Sequence, residues 1–119
     1  MLKVLIADDE EKICQLIIKL INWEEMGLKI AATASNGIEA LEQAKICKPE
    51  ILITDIRMPG IDGMELIRKV KEKLPDTEII IISGYRHFEY AQTAIRYGVR
   101  NYLLKPIKKE ELRDTLQKI

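Results

Sequence analysis

The chain has 119 residues, of which 47% are hydrophobic and 32% are charged, and its 19 basic and 19 acidic residues cancel. This length fits one domain with a single core, and the balanced charge excludes a chain that binds nucleic acid through overall positive charge. The longest apolar runs, such as residues 79–82, are far shorter than a bilayer span, and the acids after the first run exclude a signal peptide. We therefore predict a cytoplasmic protein with no membrane segment, in which Cys14 and Cys47 are free thiols.

Short apolar runs alternate with segments of helical periodicity along the whole chain. The runs lack the polar alternation of half-exposed strands, so they predict parallel strands that are covered on both faces. In chain order, the predicted strands are residues 4–7, 29–33, 51–54, 79–82 and 101–104.

Apolar residues at helical spacing lie between these strands and predict the helices. The stripes are Ile13, Leu16, Ile17, Leu20 and Ile21 in the first helix, Leu41 and Ala44 in the second, Leu66, Ile67, Val70 and Leu74 in the third, Ala91, Ala94 and Ile95 in the fourth, and Leu112, Leu116 and Ile119 in the last. Strands that alternate with helices imply right-handed crossovers. We predict an α/β, flavodoxin-like (βα)5 fold, in which a doubly wound parallel five-stranded sheet has the strand order 2-1-3-4-5.

Polar residues follow four of the predicted strands, at the sheet edge where such folds place their functional crevice. Acids crowded at one edge raise one another's proton affinity unless a cation lies among them, and hard oxygen ligands suit Mg²⁺. An ammonium and a hydroxyl opposite that cation suit a phosphoryl group. The residues are Asp8, Asp9 and Glu10 after the first strand, Asp55 after the third, Ser83 and Gly84 after the fourth, and Lys105 and Pro106 after the fifth.

Each of these residues also has a simpler interpretation when it is taken alone. Asp9 could cap the first helix, Ser83 could be a turn residue, and Lys105 could be ordinary surface charge. Asp55 is harder to explain in this way, because it ends a hydrophobic strand and precedes a proline-glycine turn instead of a helix.

The ordered set of motifs resembles the receiver domain of two-component response regulators, over essentially the whole chain. The shared motifs are Asp8-Asp9-Glu10, Asp55 followed by Met58-Pro59-Gly60 and Asp62-Gly63, then Ser83-Gly84, Tyr102 and Lys105-Pro106. The resemblance implies a protein that catalyses its own phosphorylation and dephosphorylation and is not a turnover enzyme.

The resemblance also implies a role for each site residue. Asp55 would accept a phosphoryl group from the phosphohistidine of a sensor histidine kinase. Lys105, held by a cis bond to Pro106, would bind a phosphoryl oxygen. Ser83 would move toward the phosphoryl group, and Tyr102 would turn inward behind it. The ligands of Mg²⁺ would be Asp8, Asp9, Asp55 and the main-chain carbonyl of Arg57.

Two further stretches, residues 22–27 and 83–91, resemble the receivers that precede an AraC-type DNA-binding domain in transcriptional regulators. Ser83 and Tyr102 border a face built from the fourth helix, the fifth strand and the last helix, and we predict that activation changes this face and produces a homodimer. DNA would be bound only through a C-terminal domain absent from this chain. The chain stops inside a helical pattern, which suggests a domain of a longer protein, although a one-domain protein ending in a helix looks similar.

Three alternatives compete with a phosphorylated receiver. A flavodoxin-type FMN carrier would need a loop rich in Ser, Thr and Gly after the first strand, where this chain has DDEEK. A haloacid-dehalogenase-type phosphotransferase would need an aspartate two residues after Asp55, where this chain has Arg57. A receiver-like interaction domain that works without phosphorylation is the remaining alternative, and the complete set of site residues argues against it.

Overall fold

The structure is a computed structural model that describes residues 1–56, 58–84, 92, 96, 98–99 and 101–119. The strands are β1 (Leu2–Ala7), β2 (Leu28–Ala34), β3 (Ile51–Thr54), β4 (Glu78–Ser83) and β5 (Asn101–Leu104). The helices are α1 (Glu11–Leu20), α2 (Gly37–Cys47), α3 (Gly63–Lys73) and the last helix (Lys109–Gln117), and a 3-10 turn covers Glu24–Met26. The fourth predicted helix, with its stripe of Ala91, Ala94 and Ile95, lies outside the described residues.

The strands form one parallel sheet with the order β2-β1-β3-β4-β5, which confirms the predicted fold. The register aligns Ala7 of β1 with both Ala34 of β2 and Thr54 of β3. It also aligns Ser83 of β4 with Leu104 of β5. The carboxyl ends of all the strands therefore meet at one edge. Among the described helices, none has the length and apolar character needed to span a bilayer.

Apolar clusters fill both faces of the sheet because successive residues of a strand point to opposite sides. Leu5 and Ala7 of β1 join the cluster under α2 and α3. Val4 and Ile6 join the cluster under α1 and the last helix. The expectation that every strand is covered on both faces is correct for β3 and for most of β1 and β4, but wrong for β2 and β5. These two are the edge strands, which have a neighbour on one side only, so part of each meets solvent.

Helix α3 buries Leu66, Ile67 and Val70 as its stripe predicts. Helix α1 differs from the prediction, because Leu16 is 42% exposed while Cys14 and Ile17 are buried. Positions 14, 17 and 21 follow the i, i+3, i+7 spacing of one helix face, and the prediction left Cys14 out of the apolar set. Helix α3 starts at a side-chain cap, since the Asp62 carboxylate accepts the N–H of Glu65 at 2.9 Å.

Candidate functional site

The backbone ladder of the sheet continues for one residue beyond the strands and fixes the start of the site. The N–H of Asp8 donates to the Ala34 carbonyl at 3.0 Å, and the N–H of Asp55 donates to the Ala7 carbonyl at 3.1 Å. The N–H of Lys105 donates to the Ser83 carbonyl at 2.8 Å. Asp8 and Asp55 therefore leave neighbouring strands at the same level, and Lys105 follows β5 at the same edge of the sheet.

The ammonium group of Lys105 lies between two buried carboxylates. Its Nζ donates to Asp8 Oδ2 at 3.2 Å and to Asp55 Oδ2 at 2.9 Å. Asp8 is only 3% exposed and Asp55 only 6%, so each needs a partner to offset the loss of water. One ammonium for two carboxylates leaves this trio with one uncompensated negative charge.

The second oxygen of each carboxylate is held by the main chain. Asp55 Oδ1 accepts the N–H of Ile56 at 2.6 Å, and Asp8 Oδ1 accepts the N–H of Glu10 at 2.9 Å. The hydroxyl of Thr54 donates to the Asp55 carbonyl at 2.9 Å and fixes the peptide that carries the carboxylate. Both acids are thus oriented by hydrogen bonds before any ligand arrives.

Burial and pairing change the pKa values of Asp8 and Lys105. Burial raises the pKa of Asp8 above its usual range, although the Glu10 N–H and the Lys105 ammonium oppose the rise. Burial by itself would lower the pKa of Lys105, but its hydrogen bonds to, and attraction by, Asp55 and Asp8 outweigh that effect and raise it. Lys105 is therefore held in its charged form, while the Asp8 carboxylate lacks sufficient compensating charge.

We expect Asp8→Asn to raise the free energy of unfolding at neutral pH, without Mg²⁺, by about 1 kcal/mol. Because the pKa of Asp8 is raised in the folded state, ionising it costs stability at any pH above that pKa, and asparagine removes this cost. The gain shrinks as the pH falls from the raised pKa through about 4, the ordinary pKa of aspartic acid, and it is lost below that pH, where the acid is protonated in both states.

Urea unfolding of the two proteins across this pH range checks the prediction. Asp114→Asn is the matched control, because that carboxylate is exposed on the last helix and its loss should leave stability unchanged. A less stable Asp8→Asn protein at neutral pH would contradict the electrostatic account.

Three successive acids form a compact oxygen-rich group beside the trio. Asp8, Asp9 and Glu10 each place one carboxylate oxygen so that all three atoms lie within 4.8 Å of one another. Asp8 is buried and the other two are exposed, which leaves room for water ligands. All-oxygen donors of this kind fit Mg²⁺, and the uncompensated negative charge of the neighbouring trio favours a cation there.

This group differs in two respects from the predicted ligand set, because it includes Glu10 and does not include Asp55. It contains Glu10, to which no role was assigned, although Glu10 is the third acid of the same motif. Arg57, whose main-chain carbonyl is a predicted ligand, lies outside the described residues. The interpretation of Asp9 as a helix cap is not supported, because α1 begins after Glu10 and Asp9 is not its N-cap.

The predicted switch residues lie beside this edge on the last two strands. Ser83 is the final residue of β4 and is fully buried. Tyr102 lies within β5 opposite Ile81, and its half-buried ring packs against the cluster under α2 and α3. The peptide bond between Lys105 and Pro106 is cis, as the resemblance implies. The stretch at residues 85–91 lies outside the described residues.

Gly63 contacts the peptide of Asp55, a feature that its place in the Asp62-Gly63 motif did not reveal. Its N–H donates to the Ile56 carbonyl, and a Cβ at this position would lie 2.6 Å from the Cα of Ile56. The same Cβ would also overlap the carbonyl oxygen of Asp55. The first turn of α3 therefore lies directly against the Asp55 main chain, and only glycine permits this approach.

Comparisons with known proteins agree with one another. The family model described as "Response regulator receiver domain" matches residues 4–117. The transcriptional regulatory protein YesN of Bacillus subtilis (strain 168) is 44% identical over 119 residues, which are 100% of this chain and 32% of YesN. The chain spans less than half the length of the curated relatives it matches.

Two solved structures of similar proteins overlay almost the whole chain. The REC domain of AraT, a response regulator from Geobacillus stearothermophilus, has a TM-score of 0.93 and 44% identity, and the match covers 98% of this chain and 91% of that one. A two component transcriptional regulator AraC from Clostridium phytofermentans ISDg has a TM-score of 0.91 and 36% identity, and that match covers 99% and 92%.

Proposed function

The chain belongs to the response regulator receiver domain family, and from this we propose that Asp55 is the phosphoacceptor of a signalling switch. A two-component receiver implies a kinase partner, and the donor we propose is the phosphohistidine of a sensor histidine kinase. The observation that supports this most strongly is the Lys105 ammonium, which is bonded to both Asp8 and Asp55 at the carboxyl edge of the sheet.

In the proposed transfer, a carboxylate oxygen of Asp55 forms a bond to phosphorus as the bond from phosphorus to the imidazole nitrogen breaks. The electron pair of that bond returns to the imidazole, and the product is an acyl phosphate on Asp55. No general base is needed, because the nucleophile is already a carboxylate held by the Ile56 N–H. The main requirements are alignment and charge neutralisation.

Lys105 supplies part of that neutralisation from within the chain. Its Nζ lies 2.9 Å from Asp55 Oδ2, so a phosphoryl group attached to Asp55 would have this ammonium nearby to pair with a phosphoryl oxygen. When bound, Mg²⁺ supplies additional positive charge to the phosphoryl oxygens. We propose Asp8, Asp9, Asp55 and the Arg57 carbonyl as the protein groups that hold Mg²⁺, with Glu10 as a further candidate.

Acetyl phosphate, a small phosphoryl donor, tests the proposal without the kinase. With Mg²⁺ present, intact-mass measurement should show one added phosphoryl group, and removal of Mg²⁺ with EDTA should abolish the addition. A folded protein that gains no phosphoryl group under either condition would favour the alternative of an interaction domain that works without phosphorylation.

We propose that the output of the switch is transcriptional, because the similar proteins YesN and the Clostridium regulator are named as transcriptional regulators. This chain would then be the receiver domain of such a regulator, and DNA contacts would come from a separate C-terminal domain. Ser83 would move toward the phosphoryl group, and the Tyr102 ring would fill the space that it leaves.

Beryllofluoride, which mimics a phosphoryl group on a carboxylate, tests this switch. With Mg²⁺ it should shift the amide NMR signals of residues 84–105 and promote a homodimer through β5, the last helix and the fourth predicted helix. Ser83→Ala should reduce both responses, because its methyl group cannot bond the mimic. Unchanged signals in that segment with the site occupied would rule this mechanism out, whereas shifts without dimerisation would place the output elsewhere.

A further inference from the structure

A crevice lies at the amino-terminal ends of the strands, on the side of the molecule opposite Asp55. The last helix forms one wall, and the connection between α1 and β2 forms the other. Its volume is about 780 Å³, which is within the range of pockets that bind small molecules. The lining residues that matter here are Leu2, Glu25, Leu28, Ile51, Lys109 and Arg113.

The floor of the crevice is apolar, and so is part of its mouth. Leu28 and Ile51 are buried at the start of β2 and β3 and form the floor. Leu2 is 42% exposed and lines the same crevice. The accessible lining of the crevice is more polar than apolar overall, so the apolar body of a ligand would be confined to this part of it.

Two cations on the last helix give the crevice a positive side. Lys109 and Arg113 are four residues apart, so they lie one turn apart on the same face of the helix. Among the residues that the structure describes, neither side chain makes an ion pair or a hydrogen bond. The guanidinium of Arg113 therefore keeps all of its N–H donors, in the fork geometry that matches a carboxylate.

The opposite wall carries one acid, Glu25. Its backbone N–H donates to the Asn22 side chain at 3.4 Å, which fixes the segment that bears it. Two cations against one acid leave the crevice with a net positive charge, so an anionic group is preferred on the side of the last helix.

We propose that this crevice binds a small amphipathic carboxylate. The carboxylate would pair with Arg113 and Lys109, and an apolar chain would lie along Leu28 and Ile51 toward Leu2. No residue of the site around Asp55 takes part, so this binding is separate from phosphorylation.

Octanoate is the test ligand, with octanol and acetate as comparisons that lack the charge and the apolar chain. Trp23, the only tryptophan, reports occupancy, because it is 8% exposed and lies between Asn22 and Glu25 of the crevice wall. Octanoate should change its emission saturably, and octanol and acetate should bind at least about tenfold more weakly. Equal binding of octanol and octanoate, or of acetate and octanoate, would overturn the proposal.

Arg113→Gln should weaken octanoate binding by about tenfold through loss of the charged hydrogen bonds. Lys118→Gln is the matched control, because it removes the same charge immediately beyond the last helix from a residue that does not line the crevice. An equal loss of octanoate binding in both variants would show that overall charge causes the effect, and it would contradict a specific site. Asp55→Asn should bind octanoate like the wild type, so failure of this proposal and failure of the phosphoacceptor proposal are distinguishable.

Discussion

Asp55→Asn should gain no phosphoryl group from acetyl phosphate and Mg²⁺, whereas the wild type gains one. Asparagine has nearly the same shape and can still accept the N–H of Ile56, which Asp55 Oδ1 accepts at 2.6 Å. What it lacks is the carboxylate oxygen that we propose as the nucleophile toward phosphorus. The expected effect is therefore complete loss of labelling in a protein that remains folded, and intact-mass measurement of both proteins decides the outcome.

Asp76→Asn is the matched control for this experiment. Asp76 is an exposed acid in the turn before β4, and its replacement makes the same chemical change away from the site. This variant should be labelled like the wild type. Undiminished labelling of Asp55→Asn would mean that another side chain accepts the phosphoryl group, and the assignment of Asp55 would then be wrong.

Gly63→Ala should destabilise the protein by about 3 kcal/mol, the cost of forcing atoms into a packed site. The direction of the change in the free energy of unfolding distinguishes this steric effect from helix propensity. Gly63 is the first residue of α3, and alanine normally stabilises a helix relative to glycine. Here the added Cβ would lie 2.6 Å from the Ile56 Cα and would overlap the Asp55 carbonyl, so main-chain atoms must move.

Urea unfolding of the variant measures this effect, and Gly84→Ala provides the control. Among the residues that the structure describes, none lies within 4 Å of a Cβ at Gly84, so the stability of this variant should change by no more than about 0.5 kcal/mol. Because the main chain that must move carries Asp55, the Gly63→Ala protein should also be labelled more slowly by acetyl phosphate below its unfolding transition. A variant as stable as the wild type would show that the loop accommodates the methyl group.

The sequence predicted the sheet well because parallel strands with a fixed register leave few choices for their ends. Once β1 ends at Ala7 and β3 at Thr54, Asp8 and Asp55 must emerge together, and the structure places Lys105 in contact with both. The short apolar runs in the sequence were enough to locate the strands and the polar residues that follow them. The strand order followed from the alternation of strands and helices together with the short chain.

Features that depend on packing between distant segments could not be predicted in the same way. The exposure of Leu16 and the burial of Cys14 depend on which face of α1 meets the sheet. The partial exposure of β2 and β5 depends on their place at the edges. The closeness of Gly63 to the Asp55 peptide is a contact between a loop and a helix end. The Asp62-Gly63 motif does not show which residues lie near it in the folded chain.

The anchoring of the site on the sheet has a consequence for how its state can be communicated. The amides of Asp8, Asp55 and Lys105 all donate to carbonyls of neighbouring strands. A frame bonded in this way should exchange its amide hydrogens with deuterium slowly and deform little when the charge at its rim changes. The strand ends should therefore move little when the site changes state. The change would be transmitted by displacements of the side chains and of the connecting loops.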